Sequence, residues 1–114
     1  NTYYTSVAGE VSSTDTGKEF VKKYEEKYTG KKAEAFSVYG YDTMGVILAG
    51  VEKAIEENDG KKPSREQVAE TIRATQDFQG ALASVSLDEK GDNSKAQIYL
   101  FKFEEASYPG TLQK

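Results

Sequence analysis

A mixed α/β fold is what this 114-residue sequence predicts, and three features carry that expectation. Apolar residues recur at helical spacing between residues 17 and 72. After Gly80 they recur at every second position, and residues 2–7 open the chain with a β-branched and aromatic run. With 37% hydrophobic and 30% charged residues, the composition suits one globular unit or a part of one.

The opening run Thr2-Tyr3-Tyr4-Thr5-Ser6-Val7 favours an extended strand, and Gly9 with Ser12, Ser13 and Thr14 forms the loop that ends it. A first helix is expected over residues 17–29. Thr16 and Glu19 have the spacing of a capping box, Phe20, Tyr24 and Tyr28 place their rings on one face, and Gly30 supplies a left-handed stop. After a polar connection at residues 31–34, residues 35–41 lead into the most apolar helix, running to about Glu57. Met44, Ile47, Leu48, Val51, Ala54 and Ile55 keep its spacing. Gly45 and Gly50 each cost about 1 kcal/mol of helix propensity relative to alanine, so close backbone packing is expected there, with burial on more than one side.

Asn58-Asp59-Gly60 breaks that helix. A third begins after Pro63, with Ser64 as N-cap and Gln67 closing a capping box, and Val68, Ile72 and Phe78 are expected to face inward. Leu82, Val85 and Leu87 then predict a short strand, residues 88–92 a turn, and residues 97–103 a strand apolar enough to lie inside a sheet. The tail from Glu104, with Pro109 and Gly110, reads as loop. The sequence has no internal repeat and no low-complexity segment.

The formal net charge is −4, and Lys and Arg are mixed with Asp and Glu rather than gathered in a stripe, so no nucleic-acid partner is expected. The longest apolar stretch, residues 46–49, is far short of the roughly 20 residues of a membrane span. The absence of cysteine removes disulfides, thiolate metal sites and cysteine nucleophiles but leaves the compartment open. The absence of histidine removes the usual general base at neutral pH and the commonest zinc ligand. The chain is therefore expected not to be an enzyme, with no catalytic residue, no metal site and no cofactor.

Short motifs do not change that reading. Asp15-Thr16-Gly17 matches the aspartic-protease tripeptide, but polar residues precede it and an amphipathic helix follows, so helix capping accounts for it. Asp88, Asp92 and Asn93 lack EF-hand spacing and fit a hairpin turn. Residues 60–64 lack the upstream glycine of a phosphate loop, and Pro63 removes a backbone donor. Lys22, Lys23, Lys27, Lys31 and Lys32 alternate with Glu25, Glu26 and Glu34, as on a solvated helix face. The N-terminal residues have neither the basic start nor the apolar middle of a signal peptide. A chain that opens directly in a strand is expected to be a piece of a longer one.

The segment Ala35-Phe36-Ser37-Val38-Tyr39-Gly40-Tyr41-Asp42-Thr43-Met44, with its apolar helix behind it, resembles the part of type I periplasmic binding proteins that carries an alanine, tyrosine, glycine, tyrosine, aspartate pattern. The likeness continues through Ser64-Arg65-Glu66-Gln67-Val68-Ala69, Phe78-Gln79-Gly80 and Val85-Ser86-Leu87-Asp88-Glu89-Lys90-Gly91-Asp92 to Ile98-Tyr99-Leu100-Phe101-Lys102. It covers nearly the whole chain and is strongest toward receptors for leucine, isoleucine and valine. The resemblance implies a periplasmic binding protein type I-like α/β fold, with this chain the C-terminal fragment of a two-lobe, three-layer α/β/α receptor. Residues 1–12 would be an interlobe crossing strand and loop, 13–96 the helices and hairpin of one lobe, and 97–114 the return crossing strand and tail.

The implied function is that of the extracytoplasmic solute-binding component of an ABC transporter. It would take a branched-chain or related amino acid into the interlobe cleft, close by hinge bending and present it to the membrane permease. The implied location is the periplasm or cell envelope, with a lipid anchor upstream of Asn1 as one form. The alternative is a type I receptor-like domain that senses a ligand within a signalling protein. Phe36 is the first expected ligand-binding residue, since its family match packs on the ligand's aliphatic side chain, and Tyr39 is the second, offering a ring and a hydroxyl. Asp42 is expected to cap or brace the helix start, and Tyr3 and Tyr4 to be structural. Most of the ligand-holding residues would lie upstream. The fragment alone is thus expected to bind poorly, to expose hydrophobic surface and to self-associate.

Overall fold

A computed structural model of the chain describes residues 2–104 and 110–113. Strand β1 (Thr2–Ser6) leads through a single 3-10 turn (Val11–Ser13) into helices α1 (Asp15–Lys27), α2 (Ala35–Glu57) and α3 (Arg65–Arg73). Four short strands follow: β2 (Phe78–Gln79), β3 (Ser84–Val85), β4 (Tyr99–Phe103) and β5 (Thr111–Gln113). They form two antiparallel sheets, a ribbon in the order β1-β4-β5 and a hairpin of β2 and β3. β4 occupies the middle of the ribbon, as its apolar alternation requires. Phe101 is buried there, with the Tyr4 ring stacked on it at 5.2 Å.

The helix starts follow from local chemistry. Ser64 accepts the Gln67 N–H at 3.2 Å while the Gln67 side chain accepts the Ser64 N–H at 2.8 Å, so the capping box expected for α3 is present. For α1 the cap is Thr14 rather than Thr16. The Thr14 hydroxyl accepts the Gly17 N–H at 3.0 Å, and the helix begins at Asp15 because Gly17 presses on the Val11 carbonyl, where a Cβ would not fit. Residues 35–41 form the first two turns of α2 itself. That helix is capped by a reciprocal pair between Glu34 and Ser37.

α2 has two apolar faces. Val38, Asp42, Val46, Gly50 and Ala54 form its buried stripe, whereas Tyr41, Met44, Leu48 and Ile55 are exposed. Met44, Leu48 and Ile55, which keep the helical spacing, therefore lie on the exposed face of this chain. The reason is the close approach of α3 and the hairpin: a side chain on Gly50 would collide with Ile72, and one on Gly45 would meet the Phe78 ring at 2.8 Å. Small residues consequently hold the contact stripe, and the Thr71 hydroxyl donates to the Gly50 carbonyl across it at 2.7 Å.

Two other expectations shift and one holds. The strand around Leu82–Leu87 is reduced to the two-residue β3, paired with β2. The turn at residues 88–92 is formed, with Gly91 at φ +86 and its N–H donated to the Asp88 carbonyl. The tail from Glu104 is not all loop, since β5 adds a third ribbon strand; Pro109 lies outside the described residues.

The chain is open in shape. Its radius of gyration is 17.1 Å, against about 13 Å for a compact chain of this length. Its accessible surface is 8594 Å², where a compact monomer of 12.6 kDa would have about 6200 Å². Much of the difference is apolar side chain left facing solvent, including Phe36, Tyr41, Met44, Leu48 and Ile98.

Candidate functional site

The peptide at Ala81 joins three parts of the fold. Its N–H goes to one oxygen of Asp42 at 2.6 Å, and the next N–H, of Leu82, goes to the other at 3.1 Å. Its carbonyl accepts the hydroxyls of Thr14 at 3.1 Å and Thr16 at 2.7 Å. Asp42 is only 4% exposed, and the two backbone N–H groups compensate the burial of its carboxylate. It braces α2 against the β2–β3 hairpin. Gly80 is required beside it, because a Cβ there would strike the carboxylate.

This brace sets the wall of a groove of about 1320 Å³ between α2, the hairpin and the segment leading into β4. The wall is largely apolar, with Val46, Ile47, Ile72, Leu82 and Val85 contributing. Phe36 and Tyr39, the two expected ligand-binding residues, stand together on its rim, their rings 6.5 Å apart. Phe36 is 76% exposed, so most of its ring presents apolar area that no described residue covers. Tyr39 is half-buried, and its hydroxyl donates to the Val7 carbonyl at 2.7 Å. Burial raises its phenol above the ordinary value, with a further contribution from Tyr99 nearby and a partial offset from the Gly9 backbone.

Sequence reasoning did not identify the Val7 carbonyl or Tyr99 as neighbours of Tyr39, because both come from the ribbon, far along the chain. Nor did it find the Thr14 and Thr16 hydroxyls at Ala81, although the Phe78-Gln79-Gly80 motif marked the place. A smaller groove of about 500 Å³ separates α1 from the start of α2. Phe20, Tyr24, Tyr28 and Tyr41 line it, and Phe20 contacts both Tyr24 at 5.7 Å and Tyr41 at 5.0 Å. Among the described residues no group of three acidic side chains is placed to hold a metal ion, and no helix is long and apolar enough to cross a membrane.

Residues 1–107 match the family model described as periplasmic binding protein. A solved structure, the crystal structure of a leucine binding protein, LivK, from Thermotoga maritima, is similar at a TM-score of 0.70 and 33% sequence identity. The likeness covers 92% of this chain and 28% of that one. Comparison with curated proteins gives no match.

Proposed function

Because this chain belongs to the periplasmic binding protein family and carries part of its type I fold, we propose that it contributes one side of the solute cleft in the extracytoplasmic receptor of an ABC transporter. The solute is a branched-chain or related amino acid, and the receptor delivers it to a permease in the membrane. Residues 1–12 are a crossing strand with its loop, 13–96 belong to one lobe, and 97–114 return across the hinge. The receptor resides in the periplasm or cell envelope.

The observation that carries this reading is the uncovered Phe36 ring beside Tyr39 on an apolar groove, in a chain similar to a leucine binding protein. An aromatic wall rewards aliphatic area and offers no hydrogen-bond partner to a carboxylate side chain. Asp42, spent on backbone N–H groups, leaves the zwitterion's own charges to be met by the opposite lobe.

The test is calorimetric titration of the full-length receptor containing this segment with leucine, isoleucine and valine, and with glutamate and lysine as contrasts. The aliphatic amino acids bind. Phe36→Ala weakens them by about 10-fold or more, the loss that removing a buried aromatic surface brings. Equal affinity for lysine, or no effect of Phe36→Ala, would rule the reading out.

A further inference from the structure

The ribbon and the three helices are nearly separate bodies. Strands β1, β4 and β5 pair with one another, and α2 packs on α3. Among the described residues the Tyr39 hydroxyl ties α2 to the loop that follows β1, donating to the Val7 carbonyl at 2.7 Å, with the Gly9 backbone as a second hydrogen-bond partner of the phenol. Val7 is the first residue beyond β1, and two residues further on the buried Gly9 lies under the Tyr99 ring; a Cβ on Gly9 would come within 2.8 Å of that ring. Tyr99 opens β4 and is the register partner of Ser6. The Tyr39 hydroxyl therefore grips the ribbon where both of its long strands meet the helical body. The same Tyr39 ring stands next to Phe36 on the groove rim.

We infer that Tyr39 is a positioning residue, a latch that sets the angle between the β1–β4 ribbon and the α2 body and so ties the groove rim at Phe36 to the base of the ribbon. The geometry favours this over direct use of the hydroxyl on a ligand. A phenol has one proton to donate, and the half-buried Tyr39 gives it to a backbone carbonyl. With the hydrogen bonds across it gathered on one phenol, the joint is a place where a small change in the Tyr39 ring moves the ribbon as a unit. The consequence for solute binding rests on the function proposed above, in which β1 and β4 cross between lobes: a solute pressing on the Phe36–Tyr39 rim would act on the hinge through this bond.

The test reads the joint without any solute. The full-length receptor containing this segment is used, with any cysteine elsewhere in it replaced first; the segment itself has none, so the labels sit only where they are placed. One pair, Thr5→Cys with Glu52→Cys, spans ribbon and α2; a control pair, Glu52→Cys with Glu70→Cys, spans α2 and α3; all three positions are exposed. Distances are measured by pulsed electron resonance with Tyr39 and with Tyr39→Phe, which keeps the ring and removes the hydroxyl. In the Phe variant the ribbon-to-helix distribution gains a displaced population about 5-fold larger than in the parent, as expected when the hydrogen bonding of one hydroxyl is lost, while the control pair is unchanged. An unchanged ribbon-to-helix distribution overturns the latch, and broadening of both pairs overturns it too, since that is general loosening. The solute reading stands or falls separately, on the Phe36→Ala titration.

Discussion

The Asp42 carboxylate takes the Ala81 N–H at 2.6 Å, inside a fold where it is only 4% exposed. With the Leu82 N–H on its other oxygen, this one side chain holds the hairpin to α2. Asp42→Ala leaves two buried donors without partners and is expected to lower stability by about 3 kcal/mol. Asp42→Asn keeps one acceptor and costs less. Urea unfolding midpoints decide it, and equal midpoints for the two variants would contradict the brace.

Two glycines of α2 respond oppositely to the same substitution. Gly50→Ala drives a methyl into Ile72 and is expected to destabilise by about 1–3 kcal/mol, although alanine is the better helix former. Gly40 is exposed with open space around it, so Gly40→Ala stabilises by about 0.5–1 kcal/mol. Thermal melts of the two variants side by side check the sign of each.

The exposed stripe of α2 makes the isolated chain prone to self-association. Met44 and Leu48 are each more than half exposed and lie one helical turn apart beside Tyr41. Sedimentation equilibrium at micromolar concentration is expected to show species larger than the monomer, and Met44→Lys with Leu48→Lys to shift the distribution to monomer. A monomeric parent chain would refute this.

The phenol of Tyr39 has a signature of its own at high pH. Its folded value is raised, mainly by burial, so the stability it contributes is fully present below the ordinary tyrosine value and is lost as pH rises through the raised one. The difference in ultraviolet titration between the parent and Tyr39→Phe should show one phenol ionising above the ordinary range. An ordinary titration curve for that difference would mean the hydroxyl is not held.

Much of the architecture could be read from local chemistry. Ser64 with Gln67, the stop at Asn58-Asp59-Gly60, the turn at Gly91 and the close packing at Gly45 and Gly50 each depend on neighbours in sequence or on a single steric rule, and each is found. Phase within α2 was harder. Its period is visible in Met44, Leu48 and Ile55, but the residues that face α3 are the small ones, because helices in close contact leave no room for the large ones. Thr14 and Thr16 both suit a helix cap, and only the approach of Gly17 to Val11 distinguishes them. At the site, Phe36 and Tyr39 are placed side by side on the groove as the sequence spacing allows. The bond from Tyr39 to Val7 has no sequence signal, since a carbonyl is present at every residue.

The ribbon pairs Thr2 with Phe103, so its two long strands lie far apart in sequence. During synthesis at about 5–20 residues per second, β1 emerges on the order of 5–20 s before its partner. Closing so long a loop is slow compared with forming α2 and α3, whose contacts are local. For that interval Tyr3 is without the β4 strand that lies beside it in the fold. Within this segment the β1–β4 pairing is thus completed after α2 and α3 have packed together.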